Sequence, residues 1–335
     1  MRRKIWLPIF ISILVFLTGC GSNSVSNESN SSDKKEQVNF KVISFLDPGH
    51  PFTKDIVPMW IEKMEEATEG NVTFDWVGGP ESIPIEEQFD AVRNGIADVG
   101  FNTSSYYGHL MPEALSLHLS PYTPNEEREN GYFDYLGQRI ESQGLTYLGR
   151  WLGPSPFYLW SNTKIEGIKD FNGLNFRSNP TYQEILEGLG SKPVTVIPSD
   201  VYTSLERKMV DGFGFPLLGP NSSGWTEVTK YIIDEPFLNQ NATILFNQAA
   251  FSKLSPETQE QMMVATAEFE TEMYEYFNQK NEEEWKTIQT AGVERIKLTS
   301  EDSKEFQKVV NDVYWKMLEK DASTEVETLK QLLTK

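Results

Sequence analysis

Apolar and polar positions change their period along this chain in a regular way. From Phe40 to Phe45 they alternate and then run apolar, which predicts a strand entering the fold, broken by Asp47-Pro-Gly-His-Pro51. Across residues 52–68, Ile56, Trp60, Ile61 and Met64 recur at helical spacing, with Glu62, Glu65 and Glu66 on the other face. Val72 to Val77 predicts a second strand, stopped by Gly78-Gly-Pro80. Residues 85–94 predict a helix closed by Gly95, and Asp98 to Phe101 a short strand. Alternation of this kind predicts a parallel α/β sheet.

Further along, residues 145–148 and 157–160 read as strands near a crossover. The turn Asp170-Phe-Asn-Gly173 leads into a strand over 174–177, followed by a helix over 182–189 ended by Gly190 and a strand over 193–197. Ser199-Asp200 reads as the N-cap of a helix over 201–208, and residues 210–213 return as a strand, so a second α/β unit occupies about 160–243. After a strand near 244–251, Ser255 is the predicted N-cap and Pro256 the first residue of a helix running towards Thr290. A helix longer than about 25 residues must touch more than one element. No heptad persists along it, so it reads as a brace between lobes rather than a coiled coil.

Both the charge and the first residues narrow the setting. Arg2, Arg3 and Lys4 precede an uncharged apolar run from Ile5 to Leu17, too short to span a bilayer as a helix but suited to a secretory signal. Leu17-Thr-Gly-Cys20 then resembles the lipobox of bacterial lipoproteins, and Cys20 is the single cysteine of the chain. The resemblance implies a diacylglyceryl group on the Cys20 thiol and cleavage before it. Residues 1–19 would be a signal peptide, 20–37 a lipidated flexible tether rich in Ser and Asn, and the protein lipid-anchored at the outer face of the bacterial cell membrane. The other reading is an ordinary signal peptide with a chance cysteine. Removing the three leading cations from 30 Lys and Arg, against 49 Asp and Glu, takes the net charge from −19 to −22. Such a surface argues against nucleic-acid binding. An anionic ligand would need a local basic group, shielded from the global field by salt beyond about 8–10 Å. No second apolar stretch is long enough to cross a membrane, so a transport role needs separate membrane partners.

Enzymatic and metal chemistry find little support. The three histidines, His50, His109 and His118, have no metal-binding spacing. There is no nucleophile elbow and no P-loop, and Gly212-Phe-Gly214 lacks the third glycine of a dinucleotide fingerprint. No catalytic residue, metal or cofactor is assigned, although a secreted hydrolase with an Asp/Glu pair remains open in so acidic a chain.

Four segments together resemble the substrate-binding proteins of TRAP (tripartite ATP-independent periplasmic) transporters, the DctP-like family. They are Gly49-His-Pro51 with its following helix and Glu66-Ala-Thr-Glu-Gly70, Glu87 to Asp98, Ile168 to Arg177, and Asp200 to Gly212. The resemblance implies an α/β, two-lobed periplasmic-binding-protein type II fold with the long helix bracing both lobes. Lobe I would hold 38–155 plus 244–285, and lobe II 156–243 plus 286–335. It further implies a monomer that captures a small organic acid between the lobes and delivers it to the small and large TRAP membrane subunits. A same-fold sensor that presents its ligand to a receptor kinase is the alternative.

Arg177 is the principal candidate ligand contact. It ends a short apolar strand that must turn through Ser178-Asn-Pro180 into a helix, and α/β lobes gather ligands at the carboxyl ends of strands. A guanidinium there suits a carboxylate, and the resemblance assigns Arg177 that role. Where many family members have a supporting Asn, this chain has Phe215. Where a second base is common, it has the uncharged stretch Pro154 to Trp160. These departures point to a carboxylate with an apolar or aromatic body, walled by Phe215, Phe213, Trp151, Phe157 and Trp225, with Asn102 and Asn179 as further contacts.

Overall fold

A computed structural model describes residues 37–50, 52–151 and 153–334. The signal peptide, Cys20 and nearly all of the tether lie outside these described residues. No helix among the described residues is long and apolar enough to cross a membrane.

Among the described residues, eleven strands form two sheets. They are β1 (Val38–Ser44), β2 (Val72–Trp76), β3 (Val99–Asn102), β4 (Leu145–Arg150), β5 (Phe157–Ser161), β6 (Asn175–Ser178), β7 (Lys192–Thr195), β8 (Gly212–Pro216), β9 (Tyr231–Ile233), β10 (Thr243–Asn247) and β11 (Glu294–Ile296). The first sheet has the order β2-β1-β3-β10-β4 and the second β11-β9-β5-β8-β6-β7. Neither is the wholly parallel sheet that the alternation predicted. β10 runs antiparallel to β3 and β4, and β5 antiparallel to β8 and β9, because these strands enter from the opposite lobe.

Two aspartates explain why parallel strands align in each lobe. The Asp98 carboxylate, just before β3, accepts the Lys41 N–H of β1 at 2.8 Å. Asp211, just before β8, accepts the Asn175 N–H of β6 at 2.8 Å. Each bonds a backbone amide of the neighbouring parallel strand, which helps to fix the register of the pair. Gly212 follows because a Cβ there would stand 2.3 Å from the Trp160 carbonyl oxygen.

Several boundaries moved for local reasons. The strand expected over 210–213 is Gly212–Pro216, set by its pairing with all of β5. β10 ends at Asn247, whose side chain accepts the Ala250 N–H and starts the short helix Gln248–Phe251. Asp200 gives no side-chain cap, because the 3-10 turn Pro198–Asp200 runs straight into the helix Val201–Glu206. Ser255 does cap the long helix Pro256–Thr290, accepting the Thr258 N–H at 3.1 Å.

The chain crosses between lobes through 151–156 and 234–242, and these crossings bond to each other. Trp151 N–H donates to Ala242 O, Gln240 N–H to Ser155 O, and Phe157 N–H to Leu238 O, each within 2.9 Å. The long helix makes the third connection. Met262, Phe269, Met273 and Phe277 join a buried cluster that reaches Trp60 and Phe101 in one lobe and Trp160 and Phe213 in the other. The helix Ser300–Asp321 covers the second lobe through Phe306, Val310 and Tyr314. The last helix, Val326–Leu333, departs from the expected lobe II. Its Leu329 and Leu333 return to the first lobe, packing with Leu136 and Ile140.

Where β4 meets the long helix, charged groups are buried. Glu270 Oε1 accepts the Arg150 N–H at 2.6 Å, and its Oε2 pairs with Arg128 Nη1 at 2.5 Å. Arg150 Nε pairs with Glu127 at 3.0 Å. Burial pushes the Glu270 carboxyl up to about 7 against the pull of Arg128. A carboxyl raised above its unfolded value binds its proton more readily in the folded state. Its contribution to stability therefore grows as pH falls from about 7 towards the ordinary carboxyl value of 4.5. Glu270→Gln removes this titration, so the melting temperature of the variant relative to wild type should climb between pH 5 and pH 8. Parallel melting curves for the two proteins across that range would refute the assignment.

Candidate functional site

Arg177 sits on β6 between β7 and β8, its side chain 2 % exposed. Its Nε–H donates to the Val196 carbonyl at 2.8 Å. Nη1 donates to the Tyr182 hydroxyl at 2.8 Å and more weakly to the Gly214 carbonyl at 3.3 Å. Tyr182 can accept from a guanidinium only through its oxygen, so its own proton goes to Gly214 O, 2.7 Å away. Gly214 makes room for this arrangement: a Cβ there would meet the Tyr182 ring at 2.7 Å. Burial pushes the Tyr182 hydroxyl up despite the neighbouring charge of Arg177, which keeps it a neutral relay. Among the described residues no carboxylate pairs with Arg177, and nothing bonds to Nη2. The guanidinium is thus held by neutral oxygens on two of its nitrogens and left open on the third. A two-pronged grip through Nε would compete with Val196, so an anion would meet chiefly the Nη2 side.

Around this group lies a narrow chamber of about 30 Å³. Phe45, Leu46, Phe52, Thr103, Ser105 and Tyr106 line it from the first lobe. Phe157, Arg177, Asn179, Phe215 and two prolines do so from the second, and Gln240 from a crossing segment. Arg177 is its one charged lining residue. A second hollow shares Ser105, Tyr106, Arg177 and Asn179 and opens past Glu86, His109 and Ile197. Burial pushes the Tyr106 hydroxyl up as well, against the pull of Arg177.

Of the residues expected from sequence, Arg177, Asn179, Phe157 and Phe215 meet in this chamber. Phe213 does not: it is packed between Trp160 at 5.6 Å and Trp225 at 5.3 Å, in the core behind β8. Trp225 backs Phe215 edge-on at 4.9 Å without lining the chamber. Trp151 faces a separate hollow behind the crossing segments, shared with Arg150 and Glu270. Asn102 is buried at the end of β3, where its side chain accepts the Thr103 N–H and shapes the turn. Thr103, Ser105 and Tyr106 were missed, although they follow the carboxyl end of β3 as Arg177 ends β6; the same strand-end rule applies to both. Phe45, Phe52 and Gln240 carry no comparable signal.

Below Ser105 a histidine holds the wall. His118 Nδ1 lies 2.7 Å from the Asn239 carbonyl, and its Nε2 is 3.3 Å from Ser104 Oγ and 3.4 Å from Ser105 Oγ. Burial lowers its pKa to about 4, so the ring is neutral at pH 7. Among the described residues no group of three or more His, Cys, Asp or Glu could hold a metal ion.

The DctP family, bacterial extracellular solute-binding protein family 7, matches residues 43–321. An uncharacterized protein, y4mM of Sinorhizobium fredii, is 26% identical over 215 residues, which are 62% of this chain but only 39% of that protein. The 2,3-diketo-L-gulonate-binding periplasmic protein YiaO of Escherichia coli is 22% identical over 275 residues, 80% of this chain and 83% of the relative. A TRAP periplasmic solute binding protein from Desulfovibrio salexigens, solved with bound orotic acid, superposes with a TM-score of 0.79 at 19% identity, covering 89% of this chain and 97% of that one.

Tyr182→Phe keeps the ring but removes the oxygen between Arg177 and Gly214. It should lower the ligand-free unfolding free energy by about 1–3 kcal/mol, as for a buried bond to a charged group. Urea denaturation measures this, and an unchanged midpoint would mean that Tyr182 does not hold Arg177.

Proposed function

Since the chain belongs to the DctP family, bacterial extracellular solute-binding protein family 7, we propose that it captures an organic monocarboxylate with an apolar or aromatic body and delivers it to TRAP membrane subunits. The observation that carries this reading is Arg177: among the described residues, a buried cation with no carboxylate partner and Nη2 unused, in a chamber otherwise uncharged. Leaving such a charge unpaired is costly, and an entering carboxylate relieves it. A second carboxylate would find no base in the chamber and would lose several kcal/mol of hydration. Phe45, Phe52, Phe157 and Phe215 offer ring surface to the rest of the ligand. The orotic acid held by the Desulfovibrio salexigens relative is an acid of this kind, a ring with a single carboxylate.

Both lobes line the chamber, so a ligand that touches both favours the closed state. No chemical step is required of any residue, and the protein acts as a binding protein rather than an enzyme. It works as a monomer outside the cytoplasm, held to the membrane by the lipid on Cys20.

A thermal-shift screen tests the ligand class. Aromatic and branched-chain 2-oxo and hydroxy acids should raise the melting temperature, whereas succinate, malate and sialic acid should not. Arg177→Ala should weaken the best acid of that screen by about 30- to 5,000-fold, the cost of about 2–5 kcal/mol for a buried charged pair. Arg177→Lys should recover part of it. Stabilisation by the dicarboxylates alone, or near wild-type affinity in Arg177→Ala, would defeat the reading.

Anchoring is tested separately. Cys20→Ser should leave an uncleaved precursor or release the protein from the membrane fraction, since firm attachment needs more than one acyl chain. A variant that matures and stays membrane-bound as before would rule the anchor out.

A further inference from the structure

One polar group in the chamber has no task in carboxylate capture. Gln240 lies on the crossing segment between β9 and β10, its backbone N–H fixed on Ser155 O at 2.9 Å. Gln240 is 7% exposed and lines both this chamber and the hollow behind the crossing segments, and its buried Oε1 has no hydrogen-bond partner among the described residues. Buried polar atoms are almost always paired, and an unpaired one is costly.

A second acceptor follows from counting protons. A carbonyl oxygen only accepts, so His118 Nδ1, facing Asn239 O, carries the ring proton and Nε2 accepts. Ser104 and Ser105 both approach Nε2, but Ser104 Oγ also donates to Asn241 Oδ1 at 3.3 Å. A hydroxyl has one proton, which leaves Ser105 as the donor to His118. The Thr103 hydroxyl, 3.4 Å away, fills one Ser105 lone pair. Ser105, a lining residue of the chamber, therefore has a lone pair on Oγ but no proton to offer a ligand.

We propose that the chamber selects a hydroxy acid: the carboxylate meets Arg177 and the hydroxyl donates to Gln240 Oε1, with Ser105 Oγ as an auxiliary acceptor. This rests on the carboxylate reading of Arg177. A hydroxyl suits the pair better than an ammonium, because no carboxylate lines the chamber to balance a second charge. It also suits better than an oxo group, which would set acceptor against acceptor. Gln240 and Ser105 thus determine specificity, whereas Arg177 supplies the anion site.

Three acids on one skeleton make the test: 3-phenyllactate, 3-phenylpropanoate and phenylpyruvate, titrated calorimetrically into the wild-type protein. Phenyllactate should bind about 10-fold more tightly than phenylpropanoate, the worth of one hydrogen bond to a neutral acceptor, and phenylpyruvate should be no better than phenylpropanoate. Gln240→Leu should bring phenyllactate and phenylpropanoate to similar affinity. That ratio is independent of any general loss of binding, and the wild-type series stands even if the variant fails to fold. Equal binding of the hydroxy and deoxy acids by wild type, or an unchanged ratio in a folded Gln240→Leu, overturns the hydroxyl site and leaves carboxylate capture intact. Binding of none of the three removes the aromatic-carboxylate reading and this inference with it.

Discussion

A guanidinium withdrawn from water without a carboxylate beside it has to be held by dipoles, and much of the second lobe is arranged to hold Arg177. Val196 O on the segment after β7, Gly214 O on β8 and the Tyr182 hydroxyl from the turn after β6 converge on two of its nitrogens. Each holder depends on something else. Gly214 must be glycine for the Tyr182 ring to lie against β8, and β8 is aligned with β6 by Asp211. The cation is thereby pre-oriented, its position fixed by folding alone.

This local arrangement works against the whole-molecule field. The chain carries a net charge of −19, which repels anions at long range. Within the chamber only Arg177 is charged, walls of Phe and Tyr exclude water, and the surface field is screened beyond about 8–10 Å. At the distances inside the chamber the local charge of Arg177 therefore outweighs the repulsion of the negative surface.

The crossing segments and the long helix tie ligand capture to lobe position. Gln240 is both part of the chamber and part of the bonded crossings, and the neighbouring hollow reaches Arg150 and Glu270. The Glu127, Arg128, Arg150 and Glu270 cluster clamps the end of β4 to the long helix just before the chain leaves the first lobe. A buried ionic cluster of this kind adds little net stability, but it fixes where the crossing begins.

Sequence alone determined the features that depend on local periodicity and on strand ends. The strand–helix alternation of β1 to β3, the capped start of the long helix at Ser255 and the placing of Arg177 at the carboxyl end of β6 are all written in neighbouring residues. The strands β9 and β11, only three residues each, and the helices between 104 and 141 were not legible, because such short elements owe their existence to what they pack on. Tertiary structure alone decided which aromatic rings line the chamber. Phe213 and Phe215 project on the same side of β8, yet only the second reaches the chamber, because Trp160 and Trp225 enclose the first. The antiparallel course of β10, the return of Leu329 and Leu333 to the first lobe, and the meeting of Gln240 with Arg177 join residues far apart in the chain. Pattern records the face a side chain takes; only packing records what stands opposite it.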